Sequence, residues 1–425
     1  MKLLLLGSGG REHALAWKLI QSNLCTELFI APGNAGTSLC GTNLDISPLD
    51  FKTIGETCLG KGISMVIVGP EEPLVKGIVD YFKNSETLRQ IPVIGPDSNG
   101  AQLEGSKAFA KKFMQKYGIP TASYKEFSKN NYEEGVEYIK NHSLPVVLKA
   151  DGLAAGKGVL ICETTAQALS GFEEMLQSNK FGDAGNKVVI EQFLSGIELS
   201  VFVLTDGKNY ALLPEAKDYK RIGEGDTGKN TGGMGAISPV PFADDSFMKK
   251  VINNVIEPTI AGLRSESIDY KGFIFFGLIK VNEEPYVIEY NCRMGDPETE
   301  VVIPRLKNDL GELFRATANR SLDKVKIETE EFAAATVMAV SGGYPDEYKK
   351  GFEITGLKTP ADQSIVFHAG THSKDGKIIT SGGRVLCVTS LAATIQEAVD
   401  ISVKALEEIN FEGMNFRRDI GFEFK

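Results

Sequence analysis

The run Glu289-Tyr-Asn-Cys-Arg-Met-Gly-Asp-Pro-Glu298 places five chemically able side chains within ten residues. Glu289 and Asn291 are two apart, so on a strand they share one face. Two oxygen ligands on one face, completed by phosphate and water oxygens, suit Mg²⁺ or Mn²⁺. Arg293 can clamp a carboxylate or phosphate with its planar fork. Asp296 can accept from an ammonium group, so the pair matches a substrate with both charges. A surface turn with local ion pairs is the alternative, but Cys292 and Met294 make the run too apolar for an idle surface.

A second segment, Lys149-Ala-Asp-Gly-Leu-Ala-Ala-Gly-Lys-Gly158, joins two expected strands. Gly152, Gly156 and Gly158 let backbone N–H groups approach a phosphate, and Lys149 and Lys157 supply charge. It is not a Walker A loop, which ends Gly-Lys-Ser/Thr and opens a helix. A tight hairpin with solvated lysines is the bland alternative. Further on, Glu191-Gln-Phe193-Leu194 ends a strand and Glu198 begins the next. A strand-end carboxylate and free backbone groups suit an adenine edge, and a second carboxylate suits ribose hydroxyls.

The elements that must position these groups follow from apolar periodicity. Short apolar strands at Lys2–Leu6, Leu28–Ala31, Met65–Val68 and Val93–Gly95, separated by helices, predict a doubly wound parallel sheet. Ligands in such sheets sit at the carboxyl ends of strands, where Gly7–Gly10, Pro32–Gly36 and Gly69–Glu71 lie. A helix at Lys107–Tyr117 leads to a small α+β lobe with a helix at Tyr132–Asn141 and strands at Val146–Lys149, Val159–Cys162 and Val188–Glu191. Longer adjacent strands at Leu199–Thr205, Tyr210–Leu213, Gly272–Ile279 and Tyr286–Tyr290 predict an antiparallel sheet, interrupted by a Gly/Thr/Asn-rich loop at Gly223–Gly235. A last small α+β unit has strands at Ala334–Val340, Ile365–Gly370 and Arg384–Val388. It closes with a helix whose Ile395, Val399, Val403 and Leu406 form one stripe. The chain is therefore α/β, with expected boundaries at 1–103, 104–122 with 190–327, 123–189, and 328–425.

The 425 residues carry a net charge of −10, which argues against sequence-independent nucleic-acid binding. Six scattered cysteines without a C-x-x-C pair fit a reduced cytoplasmic chain better than a disulfide framework. No apolar run approaches the ~18 residues of a membrane span. Four histidines, no two at zinc-ligand spacing within a helix of the H-E-x-x-H type, leave little room for histidine chemistry. His13 is read as packing or capping the first helix, and His368 and His372 as structural or at most near the nucleotide.

Taken in order, the glycine loop, Glu191–Glu198 and the Glu289/Asn291 pair resemble the ATP-grasp ligases. The chain is more closely similar to the glycinamide ribonucleotide synthetase family. That likeness rests on Gly7-Ser-Gly-Gly-Arg-Glu-His-Ala14, Gly152–Val159, Asn230-Thr-Gly-Gly-Met-Gly235 and Arg293–Glu298. Ala31–Gly36, Gly69–Glu71, Gln102–Lys107 and Gly382-Gly-Arg-Val385 agree as well. The resemblance implies an N-terminal substrate domain, a central ATP-grasp with a main lobe and a lid lobe, and a C-terminal domain. It implies that ATP, glycine and 5-phosphoribosylamine give glycinamide ribonucleotide through glycyl phosphate.

Lys107 would then join the ATP site, and Lys149, Arg293, Asp296 and Asp218 would act in catalysis. Gly9, Gly10, Arg11 and Glu12 would receive the sugar phosphate at a helix N-terminus. Asn34 and Glu71 would meet the ribose hydroxyls and amine. Asp218, Lys220, Arg221, Asn230 and Thr231 would close over both substrates, with Gly295 and Pro297 lining the glycine site. A monomer or weak dimer with no nucleic-acid or membrane partner is implied. One position departs from the family: Lys217 stands where Ser or Gln is usual. An NAD-linked oxidoreductase is the competing reading of Gly7–Gly10, but Glu12 occupies the third glycine of that fingerprint.

Overall fold

A computed structural model describes residues 1–153, 158–177, 186–357 and 364–424. Gly156 and Lys157 of the glycine loop lie outside the described residues. Five strands run parallel in the order β3-β2-β1-β4-β5: β1 (Lys2–Gly7), β2 (Glu27–Pro32), β3 (Thr42–Asn43), β4 (Met65–Val68) and β5 (Val93–Pro96). Side chains alternate across a strand. Leu3 and Leu5 accordingly pack with Leu15 and Leu19 of helix α1 (Gly10–Leu19), while Leu4 and Leu6 pack with Ile54, Leu74 and Ile78 on the other face. Both faces are covered, which is why β1 is an unbroken apolar run rather than an alternating one.

The next strands, β6 (Tyr124–Ser128), β7 (Val146–Ala150), β8 (Val159–Cys162) and β9 (Lys187–Gln192), form a four-stranded sheet in the order β6-β9-β7-β8. Helices Tyr132–Lys140 and Thr165–Gln177 close its core around Phe127, Leu148 and Phe172. Strand β6 was not expected from the sequence. Its Tyr-Lys-Glu-Phe-Ser pattern exposes polar groups and buries only Phe127.

Then come β10 (Ile197–Thr205), β11 (Tyr210–Leu212), β12 (Lys217–Asp218), β13 (Arg221–Gly223), β14 (Thr227–Asn230), β15 (Gly235–Ser238), β16 (Tyr270–Val281) and β17 (Glu284–Asn291). The expected Gly223–Gly235 loop is in fact a β13–β14 hairpin followed by a strand. Its turn holds Gly225 and Asp226, and with Gly228 in β14 all three have positive φ. The hairpin residues are polar and mostly exposed, so no alternation announces them. Strands β16 and β17 pair antiparallel with a bulge after Gly277, which sets Gly277 opposite Glu289 and Phe275 opposite Asn291.

The last strands are β18 (Ala333–Val340), β19 (Ser364–His368), β20 (Thr371–Lys374), β21 (Lys377–Thr380) and β22 (Arg384–Ala392). Two sheet continuities cross the boundaries drawn from sequence. β5 pairs antiparallel with β16 at Pro96–Tyr270 and Gly95–Lys271, so the parallel sheet continues into β16, β10 and β11. β12 and β15 join the C-terminal sheet, in the order β12-β15-β18-β22-β19. Helix Ile395–Glu407 covers that sheet through Ala398, Val399 and Leu406, as its stripe predicts.

Candidate active site

Strand ends from three segments meet around a cavity of about 410 Å³. Lys149 ends β7, and Glu289 and Asn291 end β17. Lys107 opens the helix Lys107–Lys116, which is capped by Ser106 Oγ accepting from Phe109 N–H at 3.1 Å. Asp151, inside the glycine-loop segment, accepts from Ala108 N–H at 3.1 Å and from Ser106 Oγ at 3.0 Å. Lys107 Nζ donates to the Gly152 carbonyl at 2.9 Å. The base of the loop and the helix N-terminus are therefore one rigid joint.

Glu191 lines the cavity with its carboxylate ion-paired, although Oε1 accepts no hydrogen bond among the described residues. Its carboxylate is 3% exposed and lies 3.1 Å from Lys149 Nζ and 2.9 Å from Lys111 Nζ. A buried carboxylate is retained only when paired. Burial pushes the Lys111 pKa down to about 8, with Glu191 opposing. Burial also lowers that of Lys107, against the attraction of Glu289. Phe193, Leu194 and Glu198 do not line the cavity, and the Glu198 carboxylate is 2.6 Å from Lys220 Nζ.

Glu289 and Asn291 both face the cavity. Asn291 is 7% exposed and its Nδ2 has no hydrogen-bond partner among the described residues. A buried amide left unpaired calls for a further group. Among the described residues no cluster of three or more His, Cys, Asp or Glu could hold a metal alone. The unpaired Nδ2 is a donor that suits a phosphate oxygen, while the Glu289 carboxylate and Asn291 Oδ1 are the oxygens here that could reach a divalent ion.

Arg293 is held by two carboxylates, Glu71 at 3.2 Å and Glu104 at 2.7 Å. Burial works against its charge, yet Glu104 and Glu71 outweigh this and hold the guanidinium firmly protonated. Burial pushes Glu104 up and Arg293 pulls it back, while Cys292 N–H donates to it at 2.8 Å. Glu71 thus sits against Arg293 in this cavity and not in the one reached by Asn34.

A second cavity of about 900 Å³ adjoins the first, and Asp296 and Arg384 line both. Arg384 Nη1 donates to the Gly232 carbonyl at 2.6 Å and the Asp296 carbonyl at 2.7 Å, and Nη2 lies 3.0 Å from Asp296 Oδ1. Behind them Glu300 is fully buried, and neither carboxylate oxygen has a hydrogen-bond partner among the described residues. Burial, then Asp296, push its pKa well above the usual carboxylate range, against the pull of Arg384.

The first helix departs from expectation. Gly9 N–H donates to Glu12 Oε2 at 2.6 Å, and Arg11 Nε donates to Glu12 Oε1 at 2.6 Å. Arg11 Nη1 donates to the Met294 carbonyl at 3.2 Å, and Arg11 N–H to Asp296 Oδ2 at 3.4 Å. The helix N-terminus is thus answered from within the chain. Glu12 also fills the space above Gly69, where any Cβ would run into its carboxylate. Glu12 stands at the third glycine of the dinucleotide fingerprint and already engages the Gly9 N–H, which counts against the oxidoreductase reading. Gly9 lines the second cavity and Arg11 the first, while Gly10 packs on Glu300.

Asn34 borders the second cavity, but its amide is spent on structure. Nδ2 donates to the carbonyls of Ser8 at 2.9 Å and His368 at 2.7 Å, and Oδ1 accepts from Gly36 and Thr37 N–H at 2.8 and 2.9 Å. His368 N–H donates to His13 Nδ1 at 2.8 Å, so His13 seals the packing of α1 on the C-terminal unit. His372 borders the second cavity.

Asp218, Lys220, Arg221, Asn230 and Thr231 stand outside both cavities. Burial raises the Asp218 pKa, and burial with Asp218 takes Glu298 up to about 7. Lys220 is held well above its usual value: burial opposes the charge, and Asp218, Glu198 and Glu289 outweigh it. Lys217 lies 2.9 Å from Glu423 and over the Tyr219 ring, a tie to the chain's last turn. Gly295 packs on Glu298, and Pro297 on Gly233. Glu104, Lys111 and Arg384 were missed as site residues, although Glu104 and Arg384 lie inside stretches that carry the family likeness. A charged residue in a Gly-rich or helical stretch has no local signal for pairing across some 80 to 190 positions.

The chain is similar to known proteins along nearly its whole length. Three phosphoribosylglycinamide synthetase family profiles match: the N domain over residues 1–104, the ATP-grasp (A) domain over 105–299 and the C domain over 334–423. A phosphoribosylamine–glycine ligase of Chlorobaculum tepidum is 46% identical over 99% of both chains. One of Pasteurella multocida is 45% identical over 99% of this chain and 98% of its own. The crystal structure of the Thermotoga maritima phosphoribosylamine–glycine ligase superposes with a TM-score of 0.84 at 37% identity, covering 99% of this chain and 100% of that one. The biotin carboxylase domain of Hydrogenobacter thermophilus 2-oxoglutarate carboxylase shares the fold alone, with a TM-score of 0.75 at 18% identity over 98% of this chain and 92% of its own. The chain belongs to the phosphoribosylglycinamide synthetase family.

Proposed function

We propose that the chain activates glycine with ATP and passes the glycyl group to 5-phosphoribosylamine. The products are glycinamide ribonucleotide, ADP and phosphate, in purine biosynthesis. The observation that carries this reading is the pair of adjoining cavities with a shared Asp296–Arg384 wall. One offers lysines for polyphosphate, and the other is large enough for a sugar phosphate.

Lys107 and Lys149 would neutralise the ATP phosphates, and Gly152 and Gly158 admit them closely. Glu289 and Asn291 would hold Mg²⁺, which when bound screens the charge shared by the β- and γ-phosphoryl oxygens. Arg293 would meet the glycine carboxylate as it takes up the phosphoryl group. Its Glu71 and Glu104 partners fix the guanidinium so that little reorganisation is needed. Asp296 would receive the glycine ammonium group. The amine of phosphoribosylamine then attacks glycyl phosphate from the second cavity. All six cysteines are free thiols, which supports a cytoplasmic setting. We place the chain as a monomer or weak dimer.

The test is phosphate release with a panel of acids and amines. Release that needs both glycine and phosphoribosylamine supports the reading. Release with bicarbonate or formate, and none with glycine, would assign the chain to another ATP-grasp reaction.

A further inference from the structure

The reaction needs a cation for the phosphate-bearing amine donor, and Arg11 was expected to supply it from the first helix. The structure turns Arg11 into the other cavity and pairs it with Glu12. Among the described residues lining the second cavity, Arg384 is the only arginine or lysine. Building on the ligase reading above, we propose that Arg384, contributed by the C-terminal unit, binds the anionic amine donor and serves glycyl transfer, not glycine activation.

Several features support this. Arg384 is aimed from behind: Nη1 is fixed by the carbonyls of Gly232 and Asp296, and Gly232 N–H is itself held by Tyr344 Oη at 2.9 Å. Its backbone is clamped where Gly370 passes over Gly382, a crossing too tight for a Cβ at Gly370. Gly370 N–H donates to the Arg384 carbonyl at 2.9 Å. Nε and Nη2 donate no hydrogen bond among the described residues. Asp296 Oδ1, 3.0 Å from Nη2, is buried and accepts none. A guanidinium presents five N–H donors in a rigid fork, so this one keeps donors in hand at the wall of both cavities.

In the transfer step the amine nitrogen bonds to the acyl carbon and the acyl C–O bond to phosphate breaks. The proton lost by nitrogen ends on the released phosphate. Arg384 holds the donor within reach of that carbon.

Two products separate activation from transfer. With hydroxylamine in place of the sugar amine, glycyl phosphate yields glycine hydroxamate. With phosphoribosylamine formed in situ from ribose 5-phosphate and ammonia, it yields the ribonucleotide. For Arg384→Gln, the KM for phosphoribosylamine should rise about 10- to 100-fold, in line with the loss of a charge-assisted contact. Hydroxamate formation should fall less than ribonucleotide formation, the remaining loss coming from the Arg384–Asp296 contact at 3.0 Å, and Arg384→Lys should recover part of the loss. An equal fall in both products would make Arg384 a structural strut and overturn the proposal. So would an unchanged KM for the sugar amine. Wild-type protein that makes neither product would instead overturn the ligase reading, and this proposal with it.

Discussion

Lowering the pH from 7.5 to 5.5 should loosen the C-terminal unit through two histidines. His13 and His368 stand with ring centroids 5.6 Å apart, beside Phe367 and Thr371. Burial, then the charge of His368, lowers the His13 pKa from 6.5 to about 3. Burial lowers that of His368 from 6.5 to about 4. Both values are depressed, so the unfolded chain takes up protons that the folded chain refuses. Stability is therefore complete above pH 6.5 and falls as the pH drops from there toward 4 and 3. Each ring removes about 1.4 kcal/mol by pH 5.5, and the pair about 2.5 to 3 kcal/mol. Protonating His13 also turns Nδ1 from an acceptor into a donor facing His368 N–H. The assay is urea unfolding at both pH values and constant ionic strength, comparing the wild type with a His13→Asn, His368→Asn double variant. The wild type should lose about 2.5 kcal/mol more than the variant over that window. Equal losses would refute the reasoning, as would an NMR titration in which either ring protonates near 6.5.

Three further outcomes are expected. Glu289→Gln should raise the Mg²⁺ concentration for half-maximal activity several-fold, with activity partly recovered at high Mg²⁺; an unshifted Mg²⁺ curve would remove Glu289 from the metal pair. Glu12→Gln strips the buried Arg11 charge of its partner and should destabilise the fold by about 3–5 kcal/mol in urea unfolding, whereas a loss below about 1 kcal/mol would show that the Met294 carbonyl suffices. Asp151→Ala removes a cap of the Lys107 helix and should cost about 1 kcal/mol while raising the KM for ATP, and an unchanged KM would separate that helix from the nucleotide.

Much of the site was legible because it is local. Glu289 and Asn291 share a strand face by spacing alone, and both do line the cavity. Glycines at the carboxyl ends of β1, β2 and β4 marked where a parallel sheet opens to ligands, and Gly9 and Gly33 border the second cavity. The hydrophobic runs of β1, β4 and β18 located their strands, because full burial requires apolar side chains on both faces. The β13–β14 hairpin stayed hidden, since exposed polar strands carry no such imprint.

Residue types, their spacing and their order by themselves determined the fold class and put forward lysines for phosphate and the Glu289/Asn291 pair for a metal. Only the tertiary structure decided which charges were already spent. Glu191 is taken by Lys111 and Lys149, Arg11 by Glu12, and Asn34 by four backbone groups. It alone brought Glu104 to Arg293 and Arg384 to Asp296. The physical reason is that local patterns encode faces and turns, whereas an ion pair depends on which faces finally meet. A charged side chain reads the same in sequence whether its partner is a substrate or another part of the chain.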